Sequence, residues 1–523
     1  MSLPTLIRRI AVPAFLVVTS LLSASATSSM QEGELERGVI KIDLDRTVGR
    51  IDPKIYGNFI EHLGRCIYGG VWDFGSPLSN ADGIRTDVLD LTRKLNVGIL
   101  RWPGGNFVSG YHWMDGIGPK TGRPKRIDLA WGAVENNQVG TDEYIRYCRL
   151  LGTEPYITVN MGTGSWDEAR DWVEYCNRDS GTTLAEMRKR NGSAKPYGVK
   201  YWALGNEMDG EWQMGHRNAD DYGKFALEAA KLMKWIDPTI KLVACGSSAY
   251  GRGWVDWNRT VLDHLKNHAD YIALHTYVGN GDNDYYKFLA STTDVEERIG
   301  IIEGLIRETM AKTRRETPIK IAFDEYNVWY RAWTEQRLEE TYTLEDALVI
   351  AGFLNVFVRN ADIVTIANMA QLVNVIAPIR AEADGCWRQT IYYPLELFAN
   401  HCRGMSLQAF VASPTYATGE KKVPYLDVSA AYDSSAGALI LCVVNRHKEK
   451  NLEARIVNQS GVFKGSGRAY VVNGPDIKAV NDRSAQRVRT EEQPVALQGK
   501  GEVIQSFPPH SFTLLRIPCA AGR

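Results

Sequence analysis

Two glutamates carry the strongest chemical signal in this sequence. Glu207 closes the run Tyr201-Trp-Ala-Leu-Gly-Asn-Glu207, and Glu325 closes Ile321-Ala-Phe-Asp-Glu325. Each follows a short apolar stretch of strand type, which puts each carboxyl where a strand gives way to a loop. Two carboxyls held about 5–5.5 Å apart perform a retaining double displacement at a glycosidic bond. One protonates the leaving oxygen while the other attacks the anomeric carbon. Acids this close do not both ionise easily, so the general acid keeps its proton until bond formation consumes the charge of the nucleophile. A lone glutamate at a strand end is usually a solvated group or half of an ion pair. An Asn-Glu and a second Glu at two strand ends of one chain favour the catalytic reading.

The elements around them predict an α/β fold. From residue 50 to about 395, apolar runs at 55–60, 97–100, 156–159, 201–204, 240–244, 271–274, 319–323 and 364–367 alternate with amphipathic stretches. The latter include 141–151, 166–177, 219–236, 295–313 and 344–360. Eight strands separated by helices describe a (β/α)8 TIM barrel. A doubly wound open sheet would call for a G-x-G-x-x-G at the first strand–helix turn, and the chain has none there. On this count Glu207 ends strand four and Glu325 strand seven. Most of the other runs also end in polar residues: Glu61 and His62, Arg101, Asn160, His275 and Gln371. Barrels build their sites from such ends, at one face. After about 395 the rhythm turns to short β-like runs with turn signals such as Asn473-Gly474-Pro475, which predicts an all-β sandwich, jelly-roll-like in kind. A strand at 38–44 is placed to pair with that sandwich. The expected domains are residues 27–49 (a segment joining the sandwich), 50–395 (barrel) and 396–523 (sandwich).

Composition narrows the function classes. Sixty-one Lys and Arg nearly cancel 62 Asp and Glu, which gives no electrostatic reason to expect nucleic acid or an anionic membrane as partner. Arg8 and Arg9, an apolar run over 10–22 and Ala24-Ser25-Ala26 read as a signal peptide over residues 1–26. Export to the periplasm or the medium is expected, with no membrane attachment after cleavage, because the run is shorter than the roughly 20 residues a bilayer span needs. Eight scattered cysteines contain no CxxC pair, so no zinc site is indicated. Fourteen Trp and 24 Tyr are mostly core, with a minority free to line a carbohydrate cleft.

Five segments then carry a resemblance. Ile55-Tyr-Gly-Asn-Phe-Ile-Glu-His-Leu-Gly-Arg-Cys-Ile-Tyr-Gly-Gly70, Leu100-Arg-Trp-Pro-Gly-Gly-Asn-Phe107, Leu204-Gly-Asn-Glu-Met-Asp-Gly210, Phe323-Asp-Glu-Tyr-Asn-Val-Trp329 and Ala370-Gln-Leu-Val-Asn-Val-Ile-Ala-Pro378 run in order through the expected barrel. In them the chain resembles the α-L-arabinofuranosidases of glycoside hydrolase family 51. The resemblance implies an exo-acting retaining hydrolase of terminal α-L-arabinofuranosyl groups, with Glu207 as acid/base and Glu325 as nucleophile. It implies that Asn206 bonds the sugar 2-hydroxyl and that Glu61, Arg101, Asn106, Tyr277 and Gln371 form the furanose shell. Tyr277 is also placed to hold the nucleophile, and Trp131 and Trp329 to flank the pocket rim. It further implies a homo-oligomer, a hexamer or trimer of dimers. The chemistry needs only carboxyls and water, so neither cofactor nor metal is expected.

Other signals are set aside. Trp102, Trp113 and Trp202 read as core. Asp324 is expected to face away from Glu325, because neighbours in a strand point to opposite faces. Arg188-Lys-Arg190 reads as a solvated loop cluster, and His264 with His268 as a solvent-facing pair rather than metal ligands. Two other functions share the two glutamates or the fold: an endo-acting barrel glycosidase on a β-glucan or xylan backbone, and a non-catalytic carbohydrate-binding barrel. The first would want an open cleft lined by aromatics, and the second would have lost a glutamate.

Overall fold

The computed structural model describes residues 37–334, 337–497 and 502–521; the expected signal peptide, residues 1–26, lies outside the described residues. Eight parallel strands close into a barrel in sequence order: Gly57–Phe59, Ile99–Trp102, Glu154–Val159, Tyr201–Leu204, Lys241–Ala244, Tyr271–Val278, Lys320–Val328 and Val364–Ala370. Alternate positions point inward, where Ile99, Tyr156, Tyr201, Val243, Ala322 and Ile366 pack into a core of their own. The first strand starts at a glycine for a steric reason. A Cβ on Gly57 would sit 2.5 Å from the carbonyl oxygen of Ala367 on strand eight.

Helices alternate with the strands and are started by side chains that take up orphan N–H groups. Ser165 Oγ accepts from Glu168 N at 3.1 Å to open Trp166–Asn177, and Asn218 Oδ1 accepts from Asp221 N at 2.9 Å to open Ala219–Ile236. The helix Tyr285–Ala311 begins earlier than the expected 295, where Asp284 caps Lys287 N. Leu344–Arg359 lies between the barrel and the β domain with almost every side chain buried. The last barrel helix, Tyr392–His401, carries the chain past residue 395 before the β domain begins. Trp102, Trp113 and Trp202 are core residues.

The C-terminal region is mostly β, with a ten-stranded sheet around a second apolar core. Gly38–Arg50 runs through that sheet, antiparallel to Met405–Ala412 and parallel to Leu452–Asn458. Arg359 ties the two regions together. Its guanidinium meets Glu296 on the barrel side at 2.8 Å and Asp427 of the β domain at 2.9 Å, and Asn355 also bonds Asp427.

The run at Arg188 differs from its reading as a solvated loop. It lies on the helix Thr183–Arg190, and Arg188 is buried with its guanidinium donating to the carbonyls of Tyr175 and Asp179 at 2.8 and 3.0 Å. The five donors of a planar fork can satisfy themselves on backbone carbonyls, which local charge density does not reveal. His264 and His268 do not form a solvent-facing pair. The helix ends at Leu265, His264 reaches Asp220 at 2.8 Å on a neighbouring helix, and His268 is half-buried. None of the eight cysteines is in a disulfide.

Candidate active site

The C-terminal ends of the strands gather every expected site residue at one barrel mouth. Glu325, on strand seven, is almost fully buried. One of its oxygens accepts from Arg101 Nη1 at 2.6 Å and the other from the Tyr277 hydroxyl at 2.8 Å. Arg101 reaches on to Asn206 Oδ1 at 2.7 Å, and its guanidinium rests 4.5 Å from the centre of the Phe59 ring. Asn206 turns its amide toward Asn106 Oδ1 at 3.4 Å.

Glu207 follows strand four in the left-handed region, at φ +45°. A residue with a Cβ holds that conformation only where its surroundings over-determine it. The turn throws the carboxylate across the mouth. There one oxygen accepts from Trp212 Nε1 at 2.7 Å and the other meets His275 Nδ1 at 3.0 Å. A carboxylate oxygen of Glu207, one of Glu325 and a ring nitrogen of His275 all lie within 4.8 Å of one another. That spacing suits a retaining pair. It would also let the three groups converge on a cation, for which His275 would have to give up the ring proton that its acidic neighbours favour. Burial alone would lower the pKa of His275. The charge of Glu325 and the bonds to Asp324 and Glu207 outweigh it and raise the ring to about 10.

Asp324 corrects an expectation. It points into the barrel, not away from Glu325. Asp324 keeps the phase of the inward-facing Ala322, and the register between strands six and seven slips between Ala322 and Glu325, so the irregular step turns Glu325 inward beside it. Asp324 lies beneath the mouth, its oxygens 3.2 Å from His275 Nε2 and 2.7 Å from the Tyr156 hydroxyl, with Arg101 Nε at 3.7 Å. Burial pushes its pKa up, but Arg101 and His275 pull it below the usual carboxylate range.

The opposite wall is built on Glu61, which follows strand one. Glu61 accepts from Phe107 N and Trp131 Nε1, each at 3.1 Å, and from Gln371 Nε2 at 2.9 Å. The pair Gly104-Gly105 makes room for it, since a Cβ on Gly105 would fall 2.9 Å from a Glu61 oxygen. Burial, then the charge of Glu325, raises this carboxyl to about 7. Trp131 rides on the loop 126–135, which His62 anchors by pairing with Glu135 at 2.7 Å. The ring proton of His62 is on Nδ1, because Nε2 accepts from the Trp102 indole, a group that only donates. At the rim Trp329 stands edge-on to Tyr277 at 5.6 Å and to the exposed Trp333 at 5.0 Å.

The comparisons with known proteins cover both parts of the chain. Residues 91–297 match the family model described as Alpha-L-arabinofuranosidase 1 domain, and residues 324–511 match Alpha-L-arabinofuranosidase C-terminal domain. The intracellular exo-α-(1→5)-L-arabinofuranosidase 1 of Bacillus subtilis is 41% identical over 91% of this chain and 98% of its own. The GH51 α-L-arabinofuranosidase of Thermotoga petrophila is 41% identical, with a TM-score of 0.86 over 92% of this chain and 99% of that one. The chain belongs to the α-L-arabinofuranosidases of glycoside hydrolase family 51. A second solved family 51 enzyme, from Bifidobacterium longum, superimposes equally well, with a TM-score of 0.86 at 34% identity over 91% of this chain and 99% of that one. Against this family background, three groups in the mouth were absent from the sequence-derived site. His275 was visible as a polar strand end. Asp324 was hidden by the strand irregularity, and Trp212 by a loop whose course depends on the backbone turn at Glu207.

Proposed function

We propose that this chain is an exo-acting, retaining α-L-arabinofuranosidase that releases terminal arabinofuranosyl groups from arabinan, arabinoxylan or their fragments. The observation that carries the reading is the close approach of the Glu207 and Glu325 carboxylates across a mouth whose far wall is already closed by Glu61, Trp131 and Gln371. A closed wall favours one small terminal sugar over the open cleft of an endo-acting enzyme. Gln371 Oε1 and Trp329 Nε1 are buried without a protein partner, which leaves an acceptor and a donor for sugar hydroxyls.

In the first step a Glu325 oxygen attacks the anomeric carbon as the bond to the leaving oxygen breaks. Glu207 delivers its proton to that oxygen, and a glycosyl–Glu325 ester results. Arg101 and Tyr277 hold the two Glu325 oxygens, so the nucleophile is aimed before substrate arrives. The Asn206 amide is turned to the sugar 2-hydroxyl, where its bond strengthens as positive charge develops on the ring. In the second step Glu207, now ionised, takes a proton from water. The water oxygen attacks the anomeric carbon, and Glu325 leaves as carboxylate with the configuration retained.

The test is release of 4-nitrophenol from 4-nitrophenyl α-L-arabinofuranoside by wild type, Glu207→Ala and Glu325→Ala, with and without azide. Azide should partly restore Glu207→Ala through a retained glycosyl azide, and Glu325→Ala should stay inactive or yield only inverted azide. A wild type that ignores this substrate and cleaves an internal glucan bond would defeat the substrate assignment. Export is part of the same proposal, on the strength of Arg8, Arg9 and the apolar run before Ala24. An N-terminal sequence beginning near residue 27 on protein recovered outside the cytoplasm would support it. The homo-oligomer rests on the family resemblance, and sedimentation of the purified protein tests it.

A further inference from the structure

An open depression of about 820 Å3 lies between Trp166, at the start of Trp166–Asn177, and the first half of Ala219–Ile236 from Asp221 to Glu228, two helices that begin at the mouth-side ends of strands three and four. Trp166 forms one side and is 41% exposed, with the Phe225 ring 5.7 Å away. The Arg217 guanidinium lies 4.4 Å from the centre of the Phe225 ring, which leaves an aromatic and planar floor. The charges around it balance and are largely spent. Lys224 pairs with Asp220, Glu228 with Lys231, and Asp221 holds the Asn218 amide. Such a surface offers stacking faces and scattered polar groups without net charge, which suits a neutral polyhydroxylated chain and not an anion.

Its position says which chain. The loop from Glu207 leads straight into it: Arg217 N donates to the carbonyl of Met208, the residue after Glu207, at 3.0 Å. Trp212, 55% exposed, stands on that loop with its indole on the Glu207 carboxylate. In a closed eight-stranded barrel, strand seven faces strand three, with strand four beside it. Displacement at the anomeric carbon is in line, so a leaving group attacked from the Glu325 side on strand seven departs toward strands three and four. The helices after those two strands carry Trp166 and Phe225.

We propose that this depression is a second carbohydrate-binding site, which takes the glycan chain on the leaving-group side of the scissile bond with Trp166 as its stacking platform. The proposal rests on the arabinofuranosidase reading above and extends it to polymer recognition. It is tested by kcat/KM on 4-nitrophenyl α-L-arabinofuranoside and on a length series of linear arabino-oligosaccharides, for wild type, Trp166→Ala and Trp166→Phe. Trp235→Ala is the control, an exposed tryptophan at the far end of the helix that carries Phe225. Wild type should gain with chain length. Trp166→Ala should lose about 3–10-fold on long chains only, and Trp166→Phe should recover most of it. Trp235→Ala should match wild type. Equal losses on aryl glycoside and long chains, or none, would overturn the proposal. So would a change in sedimentation in Trp166→Ala with length dependence intact, which would assign the face to self-association. A wild type inert on the aryl arabinofuranoside overturns the functional reading itself, whereas one active on it but indifferent to length overturns this site alone.

Discussion

Glu61→Gln should remove a pH-dependent loss of stability that is built into the site. Burial and the charge of Glu325 raise the Glu61 carboxyl from 4.5 to about 7 in the folded protein. A carboxyl raised in this way holds its proton more tightly folded than unfolded. Its contribution is therefore most favourable below pH 4.5, is lost as pH rises through about 7, and stays level above that. At about 1.36 kcal/mol for each pH unit separating the two values, the loss is at most about 3 kcal/mol. Glutamine keeps the shape. Its oxygen can still accept from Phe107 N and Trp131 Nε1, and its amide can donate to Gln371 once that side chain turns over and presents its free Oε1. The assay is urea unfolding of both proteins at intervals between pH 4.5 and 8. The stability difference between variant and wild type should move in favour of the variant by up to about 3 kcal/mol across that range. Parallel curves would refute the claim that Glu61 titrates near neutrality. Activity should fall even so, by about 10–100-fold in kcat/KM, because an amide puts a donor where the sugar hydroxyls would meet a carboxyl oxygen.

Three further substitutions probe the rest of the mouth. Tyr277→Phe leaves a buried Glu325 oxygen without its donor, and kcat should fall about 10–100-fold with little change in thermal midpoint; an unchanged kcat would remove Tyr277 from the nucleophile's support. Asp324→Asn strips the buried layer of a charge shared by Arg101 and His275, and should cost about 3–5 kcal/mol in unfolding free energy. The His275 contribution, complete below pH 6.5 and lost as pH climbs toward about 10, should shrink with it, so a variant whose stability falls as steeply as wild type over that window would contradict the ion-pair assignment. Trp212→Phe deletes the indole donor to Glu207 and should slow arabinosides with poor leaving groups more than the 4-nitrophenyl one, measured as the slope of log kcat/KM against leaving-group acidity.

The barrel was legible because its signals are local and repeat. Short apolar runs alternated with helical stretches eight times over, and the strands Tyr201–Leu204 and Val364–Ala370 formed where their composition placed them. The functional residues were legible for the same reason, since each strand end at Glu61, Arg101, His275, Glu325 and Gln371 contributes a side chain to one mouth. What failed depended on a single irregular step or on partners that sequence does not display. Alternation counted back from Glu325 put Asp324 outside, whereas Asp324 follows the phase of inward Ala322 and it is Glu325 that the slip in register turns in. Arg188 looked solvated because its partners are backbone carbonyls, which sequence does not display. Trp212 could not be placed before the left-handed turn at Glu207 was known.

The inward aspartate beneath Glu325 explains how the mouth tolerates so many acids. Glu61, Glu207, Glu325 and Asp324 would repel one another in a dry barrel if each faced the others unscreened. Because Asp324 is turned inward beneath them, it holds Arg101 and His275 as cations in the layer below. Those two cations then donate upward, Arg101 to Glu325 and His275 to Glu207. Glu61 is left with neutral N–H donors alone, and it is the carboxyl whose affinity for a proton rises to about 7. The buried aspartate thus supports the nucleophile through the two cations it fixes, while Glu61 is raised by its own burial and then by the charge of Glu325.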